Sequence, residues 1–187
     1  MKTATVRLSS VSPYSQSRAH ETAKLDRETA DLYDKRTWRE HCHVTSDGNI
    51  FIPPMAFKMG LDKAATMLGR QIPGKGKATY TKFFLSGVLC SEPVVLDIKK
   101  ADVVGERIYC NADGKRGSGK RVWRIFPTIP EWQAVVTYHV LANEITTEVF
   151  EDHLKQAGSF VGVGRFRPEN GGYYGRFKVE SVEWTEI

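Results

Sequence analysis

The segment GVGRFRPENGGYYGRF (Gly162–Phe177) lies between the last predicted helix and the last predicted strand of the chain. Its sixteen residues include five glycines, three arginines and four aromatic residues. Glycine has no Cβ, so it allows a positive φ and a close approach of a phosphate or of another backbone. Arginine can form paired hydrogen bonds to a phosphate, while aromatic rings stack on bases or fill a core. The composition therefore indicates either a tight internal turn or a contact with nucleic acid.

Helical and alternating patterns flank this segment. Before it, TEVFEDHLKQAG has helical spacing, with Thr146 or Thr147 as the N-cap and Gly158 as the C-cap. The predicted apolar face of this helix is Val149, Phe150, Leu154 and Ala157. After the segment, GRFKVESVEW alternates as a strand whose inward residues include Phe177 and Val179. The glycine-rich segment is thus predicted to connect a helix to the final strand.

The first half of the chain predicts a strand, an insertion and a helix. Residues 3–11, TATVRLSSV, alternate as the first strand. Residues 15–50 predict an exposed, charged and mostly helical insertion that ends in a short strand, with one helical face formed by Leu25, Leu32, Tyr33 and Trp38. In PMAFKMGLDKAATMLG the next helix is predicted to begin at Pro54 and to end at Gly69. Its predicted apolar face is Met55, Met59, Leu61, Ala65 and Leu68.

Apolar segments in the rest of the chain predict further strands, namely FFLSGVLC, PVVLDI, ERIYCNA, VWRIFP and EWQAVVTYHVL. The last of them has one inward face, formed by Trp132, Ala134, Val136, Tyr138 and Val140. Without the insertion, the order of elements is β-α-β-β-α-β, which is the ferredoxin-like arrangement. The sequence therefore predicts an α+β fold, with a single ferredoxin-like (RRM-like) domain over residues 1–187, an antiparallel sheet and basic glycine-rich loops.

The basic residues are concentrated in one region of the chain. The whole chain has 27 Lys and Arg against 22 Asp and Glu, a net charge of +5. Between Arg70 and Arg124 there are 12 basic and five acidic residues, an excess of seven, so the remainder carries a net charge of −2. Charge sorted in this way is typical of a nucleic-acid surface. An apolar fraction of 41% also excludes wholesale disorder.

Secreted and membrane proteins do not fit the sequence. No apolar run approaches the roughly 20 residues that span a bilayer, and the N-terminus lacks an apolar signal segment. The three cysteines form no CxxC pair, and their odd number argues against a disulfide framework. We expect a cytoplasmic protein with no membrane partner.

Two motif-like patterns lack the context that their chemistry requires. GKRGSGKR (residues 114–121) begins like a Walker A loop, but Arg121 stands where Mg²⁺ binding requires Ser or Thr, and a strand follows. In HCH, His41 and His43 share one side of an extended chain while Cys42 points away, and no second ligand cluster accompanies them. No spacing supports a Ser–His–Asp triad or a pair of catalytic carboxylates. We expect no catalytic residue, no metal and no cofactor.

The predicted nucleic-acid contacts come from three glycine-containing loops. The first loop, RQIPGKGKATYTK, contributes Arg70, Lys75, Lys77 and Lys82. The second loop and the strand after it contribute Lys115, Arg116, Lys120, Arg121 and Arg124. The third contributes Arg165, Arg167, Tyr173, Tyr174 and Arg176, with Gly162, Gly164, Gly171 and Gly172 as its flexible positions. Arg165 and Arg167 alternate, so in an extended stretch they point to one side and Phe166 to the other. One prediction is then that Phe166 enters the core while the arginines face the nucleic acid, and the alternative is that the segment is only a turn.

This order of elements, with a glycine-rich segment after the last helix, resembles the repeat-associated mysterious proteins (RAMPs) of CRISPR systems. The resemblance is carried by SPYSQSR after the first strand, by IPPMAFKMGLDKAATML, where a helix begins at a proline, and by AGSFVGVGRFRPENGGYYGRF. The last segment is also similar to segments of small phage-encoded proteins. The chain is short for a RAMP backbone subunit, and it lacks a convincing catalytic histidine set of the RAMP nucleases.

The resemblance implies binding to RNA or single-stranded DNA by head-to-tail assembly along the strand. The protein would then be a homo-oligomer or a subunit of a ribonucleoprotein complex. A first alternative is a metal-independent endoribonuclease of the guide-processing type, with His20 or His41 as its acid or base. A second alternative is a phage protein that mimics such a subunit and inhibits a host defence complex.

Overall fold

The computed structural model describes residues 1–115, 117 and 119–186. Within these residues the chain forms nine β-strands and four α-helices. The strands are β1 (Lys2–Ser10), β2 (Tyr14–Ser15), β3 (Asn49–Ile52), β4 (Val88–Leu89), β5 (Val94–Lys99), β6 (Val104–Asn111), β7 (Arg121–Ile129), β8 (Gln133–Val140) and β9 (Phe177–Glu186). The helices are α1 (Ala30–Thr37), α2 (Pro54–Leu68), α3 (Thr81–Gly87) and α4 (Thr147–Gln156). The predicted α+β class with antiparallel sheets is confirmed.

A four-stranded sheet in the order β4-β8-β1-β9 forms the centre of the fold, and its neighbouring strands are antiparallel. β1 alternates as predicted and buries every second side chain, namely Ala4, Val6 and Leu8. The predicted inward face of β8 is also buried. Phe57 of α2 and Phe150 of α4 lie in the same core, and the Phe150 ring is 5.3 Å from the Tyr138 ring of β8. Burial of this apolar surface is the main force that stabilises the fold.

Two smaller sheets complete the structure. One has the order β2-β7-β6 and the other pairs β3 with β5. β6 and β7 form an antiparallel hairpin in which Tyr109 lies opposite Trp123. β2 pairs with this hairpin through Tyr14, which lies opposite Ile129 at the end of β7. None of the described helices has the length and apolarity needed to cross a bilayer.

α2 has the predicted ends but a different buried face. It begins at Pro54, and Gly69 ends it in the left-handed conformation. Its buried side chains include Phe57 and Leu61, whereas Met55 and Met59 are 53% and 57% exposed. The glycine-rich loop lies against the small residues of this helix, Gly60 among them. The prediction that the two methionines face the core was therefore wrong.

The prediction of a continuous strand over FFLSGVLC was wrong. Most of this segment lies in α3, and the strand is reduced to the two residues of β4. In the helix, Phe84 is fully buried while Leu85 is 54% exposed, which a one-sided helix allows. The ammonium group of Lys58 donates to the carbonyl oxygens of Phe84 and Leu85, at 3.1 and 3.2 Å. A cation from another helix thus satisfies carbonyl groups of α3.

The C-terminal end of α4 extends beyond the predicted cap. Thr146 is the N-cap, as one of the two predicted alternatives, and its hydroxyl accepts from the backbone N–H of Val149. Gly158 is not the C-cap, because the chain continues as a π-helix over Ala157–Val161. A Cβ at Gly158 would collide with the backbone of Phe177, so close packing explains this glycine.

The insertion is less helical and less exposed than predicted. Its helical part is α1 and a 3₁₀ turn over Trp38–His41. Leu25 and Leu32, predicted on the shared helical face, are 61% and 53% exposed. Trp38 of the same predicted face is buried, as is Asp34, whose carboxylate accepts from the backbone N–H of Ile125 in β7. The insertion therefore supports the β6–β7 hairpin.

Candidate nucleic-acid interface

Two exposed aromatic rings lie side by side on the β6–β7 hairpin. Tyr109 and Trp123 face each other across the strands, with ring centroids 5.2 Å apart. The alternation of each strand directs both side chains to one face of the hairpin. They remain 46% and 49% exposed, so this pair is not part of the core.

Two arginines extend this pair into a ladder of alternating cations and rings. The Arg107 guanidinium lies 4.6 Å from the centroid of the Trp123 ring. The Arg121 guanidinium lies 4.9 Å from the Tyr109 ring and also donates to the Tyr109 carbonyl oxygen at 2.8 Å. We call these four residues the hairpin ladder. The sequence analysis named Arg121 but not the other three residues. The signal that could have found them is that each strand carries an arginine and an aromatic residue two positions apart, which places both on one face.

The remaining predicted cations of the hairpin lie in different surroundings. Lys115 and Lys120 are exposed in the loop between β6 and β7. Arg124 instead lies 3.8 Å from the buried Asp34 carboxylate. Arg116 falls outside the described residues. The exposed cations of the hairpin are thus concentrated at its outer end and in the ladder.

The glycines of the segment after α4 allow protein atoms to approach one another. Gly164 has a φ of +83°, and a Cβ there would collide with the Tyr14 ring and the Ser15 carbonyl oxygen. A Cβ at Gly162 would meet the Pro168 ring, and one at Gly172 would meet the Phe166 backbone. Gly171 follows a short 3₁₀ turn with a φ of +72°. The sequence allowed these glycines to approach either a phosphate or another backbone. In the structure, Gly164 and Gly172 lie close to backbone atoms of Ser15 and Phe166.

Arg165 is held between two aromatic rings. Its guanidinium lies 3.9 Å from the centroid of Phe126 and 4.9 Å from that of Tyr174. Its Nε donates to the Ser15 hydroxyl at 3.0 Å. Burial lowers the pKa of Arg165, an effect that the neighbouring Tyr174 and Glu106 oppose. This arginine is therefore fixed in position rather than freely solvated.

The expected alternation around Phe166 is reversed in the structure. Phe166 is 45% exposed and has a positive φ of +47°, so the prediction that it enters the core was wrong. Arg167 pairs with Glu169 at 2.9 Å, and Arg176 donates to the Ser159 carbonyl oxygen at 3.2 Å. The positive φ values around this loop break the strand-like alternation on which the prediction rested.

The two predicted tyrosines of this loop differ in accessibility. Tyr173 is 58% exposed, whereas Tyr174 is 7% exposed. The Tyr174 hydroxyl donates to a Glu106 carboxylate oxygen at 2.8 Å. Burial, followed by this hydrogen bond, raises the pKa of Tyr174 to about 12. Only Tyr173 of the pair has the exposure that base stacking requires.

The loop after α2 lies far from the hairpin. It follows the C-terminal end of α2, whereas Arg165 lies beside the N-terminal end, about 22 Å away by the helical rise of fifteen residues. Arg70 pairs with Asp152, Lys75 pairs with Glu144, and Lys82 lies over the Phe83 ring. Lys77 is exposed. The structure therefore does not unite the two basic loops in one surface.

Two histidines named in the sequence are adjacent at the base of the hairpin. The rings of His20 and His41 are 4.6 Å apart, and the His41 ring is 6.3 Å from Phe126. Burial, followed by the charge of His41, lowers the pKa of His20. Across the described ranges, no group of three or more His, Cys, Asp or Glu side chains is arranged to hold a metal ion.

No protein-family model matches the chain, and no curated protein matches it in sequence. A chain of the cryo-EM structure "Type III-B Cmr-beta bound to cognate target RNA" aligns with 98% of this chain, with a TM-score of 0.54 and 13% identity. The present chain spans 60% of that chain's length. Cmr6 from Pyrococcus furiosus aligns with 96% of this chain and 99% of its own length, with a TM-score of 0.50 and 14% identity.

At these identities the likeness is one of fold. The predicted resemblance is therefore supported at the level of the fold, which this chain shares with Cmr6 and with a chain of the Cmr-beta structure.

Proposed function

We propose that this chain is a non-catalytic protein that binds RNA or single-stranded DNA as a subunit of a CRISPR-type ribonucleoprotein complex. The observation that supports this most is the hairpin ladder, in which two exposed rings alternate with two arginines. A second support is the fold, which is shared with a chain from an assembly bound to target RNA.

The ladder suits a single strand because unpaired bases offer their faces. Stacking of a base on an aromatic side chain contributes about 1–3 kcal/mol and tolerates any base. The Arg121 guanidinium supplies positive charge for the phosphates between stacked bases, whereas Arg107 is paired with Asp31 at 3.2 Å and would exchange this carboxylate for a phosphate. We therefore expect tight binding with little sequence preference.

The strand order supports a ferredoxin-like core within this fold. If α2 and α4 are taken as the two crossing helices, the four strands of the main sheet are used in the chain order β1, β4, β8 and β9. Their spatial order is β4-β8-β1-β9, with all neighbours antiparallel. This is the split βαβ arrangement in which each helix connects two strands separated by a third.

The separation of the basic loops supports assembly along a strand. The hairpin and the loop after α2 lie near opposite ends of α2, so one copy presents exposed cations on each side, such as Arg121 and Lys77. A head-to-tail array would bring the hairpin of one copy towards the loop of the next. A strand that follows the array would then meet positive charge at every junction.

Fluorescence anisotropy with a labelled, unstructured oligonucleotide tests the proposal. Trp123→Ala should weaken binding at least about fivefold, because a stacked base is lost. Phe160→Ala is the matched control, since this ring is 60% exposed but lies outside the hairpin. If the wild-type chain binds no single strand, or if Trp123→Ala binds as tightly, the proposal is wrong.

One observation favours a second candidate, the metal-independent endoribonuclease. Adjacent imidazoles such as those of His20 and His41 can act as a base and an acid in RNA cleavage. Incubation of hairpin RNA with the protein in EDTA tests this. Cleavage that disappears in both His20→Ala and His41→Ala would replace the non-catalytic proposal, whereas intact RNA would reject the enzyme.

The third candidate, a mimic that inhibits a host complex, differs in its partner. Such a protein would bind a host protein tightly without nucleic acid. The same anisotropy titration separates it from the main proposal, because a mimic would leave the labelled oligonucleotide free.

A further inference from the structure

A cavity of about 260 Å³ lies between the segment after β2, the first turn of α2 and the glycine-rich loop. Its lining includes Tyr14, Ser17, His43, Pro53, Gly164 and Arg165. The volume exceeds that of several water molecules, each of which occupies about 30 Å³ in the liquid. A small polyatomic ion with some of its hydration water therefore fits.

The charge of this cavity differs from that of two neighbouring surface cavities. Among the described residues, no Asp or Glu lines it, and its ionisable lining groups include Arg165 and His43. The other two cavities, of about 440 and 530 Å³, both contain Asp97, with Glu180 in one and Glu131 in the other. The cavity beside Arg165 is thus the one of these three that favours an anion.

The Arg165 guanidinium is positioned before any ligand arrives. It lies between the Phe126 and Tyr174 rings, and its Nε is bonded to the Ser15 hydroxyl. Its Nη2 is buried and forms no hydrogen bond within the described part of the chain. A cation fixed by packing loses little conformational entropy on binding, so a larger share of each contact contributes to affinity.

His43 is anchored through its backbone, and its ring remains available. Its backbone N–H donates to the Gln16 side-chain oxygen at 2.7 Å, and its ring lies 5.4 Å from the Phe51 ring. Neither ring nitrogen is hydrogen-bonded to a described residue. The imidazole can therefore donate to an anion in the cavity.

We propose that this cavity binds a phosphate group through the Arg165 guanidinium and the His43 imidazole. The inference deepens the proposed function, because the phosphate would belong to the backbone or the end of the bound strand. The site also differs from the hairpin ladder in chemistry, since the cavity binds a phosphate alone, whereas the ladder combines base stacking with its phosphate contacts. Inorganic phosphate alone should therefore bind.

Isothermal titration with inorganic phosphate, at constant ionic strength set with sodium chloride, tests the site. The wild-type chain should bind one phosphate per chain. His43→Gln and Arg165→Lys should each weaken binding about tenfold or more, because a hydrogen bond to a charged group is lost or misplaced. Arg7→Gln is the matched control, since Arg7 lines a cavity with carboxylates, and its affinity should equal that of the wild type.

The phosphate titrations show whether the cavity beside Arg165 is a phosphate site. If the wild-type chain binds no phosphate, or if His43→Gln binds it equally well, the site does not exist. Thermal melts identify any variant that fails to fold, and His43→Gln then decides alone if Arg165→Lys is unfolded. Single-strand binding that persists without phosphate binding would reject this inference and leave the proposed function intact. Phosphate binding without strand binding would support the phosphate site and reject the proposed function.

Discussion

At the scale of single residues, the fully buried His153 couples stability to pH. Its ring stacks on Phe84 with a centroid distance of 4.5 Å, and its Nδ1 lies 2.7 Å from the Val149 carbonyl oxygen. Nε2 is buried and has no partner in the described part of the chain. Burial lowers the pKa of His153, although the bond to Val149 opposes the shift. The folded state therefore holds this imidazole neutral.

We predict that His153→Phe reduces the loss of stability in acid. An unfolded histidine has a pKa near 6.5, so below that pH the unfolded chain binds more protons than the folded one. Stability contributed by the neutral ring is complete above this value and is lost as the pH falls towards the lowered folded pKa. Urea melts at about pH 7.5 and pH 5.5 should show a smaller difference for the variant. Equal differences would mean that His153 does not titrate on unfolding.

Gly164 allows the glycine-rich loop to pack closely against Tyr14 and Ser15 of β2. We predict that Gly164→Ala costs about 2–5 kcal/mol, combining left-handed strain of about 1–2 with overpacking of about 1–3. Gly74→Ala is the matched control, because Gly74 has a φ of +76° and open space around its Cβ position. Its cost should be the strain alone. Denaturant titrations that give equal costs would show that the contact with Tyr14 is not tight.

At the scale of elements, Lys58 connects α2 to α3. It is 6% exposed, pairs with Asp62, and also donates to two carbonyl groups in α3. Burial, the largest influence, raises the pKa of Asp62, whereas Lys58 opposes the shift. The Lys58 ammonium group thus partly compensates for the burial of the Asp62 carboxylate, and it donates hydrogen bonds to carbonyl groups of α3.

We predict that Lys58→Met destabilises the fold by about 3–5 kcal/mol, because it leaves a partly buried carboxylate without its partner. Lys63→Met on the same helix is the control. Its pair with Glu169 is a surface pair with a half-exposed lysine, so the expected change is about 0–1 kcal/mol. Chemical unfolding measures both, and similar values would mean that the buried pair is energetically unimportant.

At the scale of the whole molecule, the proposed binding depends on where the cations lie. Counterion release from single strands gives a log–log salt slope of about −0.7 per phosphate contact. We predict that Arg107→Gln with Arg121→Gln makes the slope shallower by about 1.4. Lys155→Gln with Lys178→Gln removes the same charge from exposed positions outside the hairpin and should leave the slope unchanged. Equal slopes for both double variants would show that the ladder does not touch phosphates.

Strictly alternating strands were predictable from the sequence, because a period of two leaves only two possible faces, whereas the helical spacing of α2 did not identify its buried face. Two local signals identified elements correctly. One is the alternation in β1 and β8, and the other is the proline and the glycine at the two ends of α2. The α+β class with antiparallel sheets followed from the order of such elements.

The accessibility of the candidate binding residues was decided by the tertiary structure. Arg165 is half-buried between rings from β7 and from its own loop, while the exposed pair of Tyr109 and Trp123 forms across two strands. The helix in FFLSGVLC likewise receives a hydrogen bond from Lys58, 26 residues before Phe84. A local pattern does not contain such contacts, because they join side chains that only the folded chain brings together.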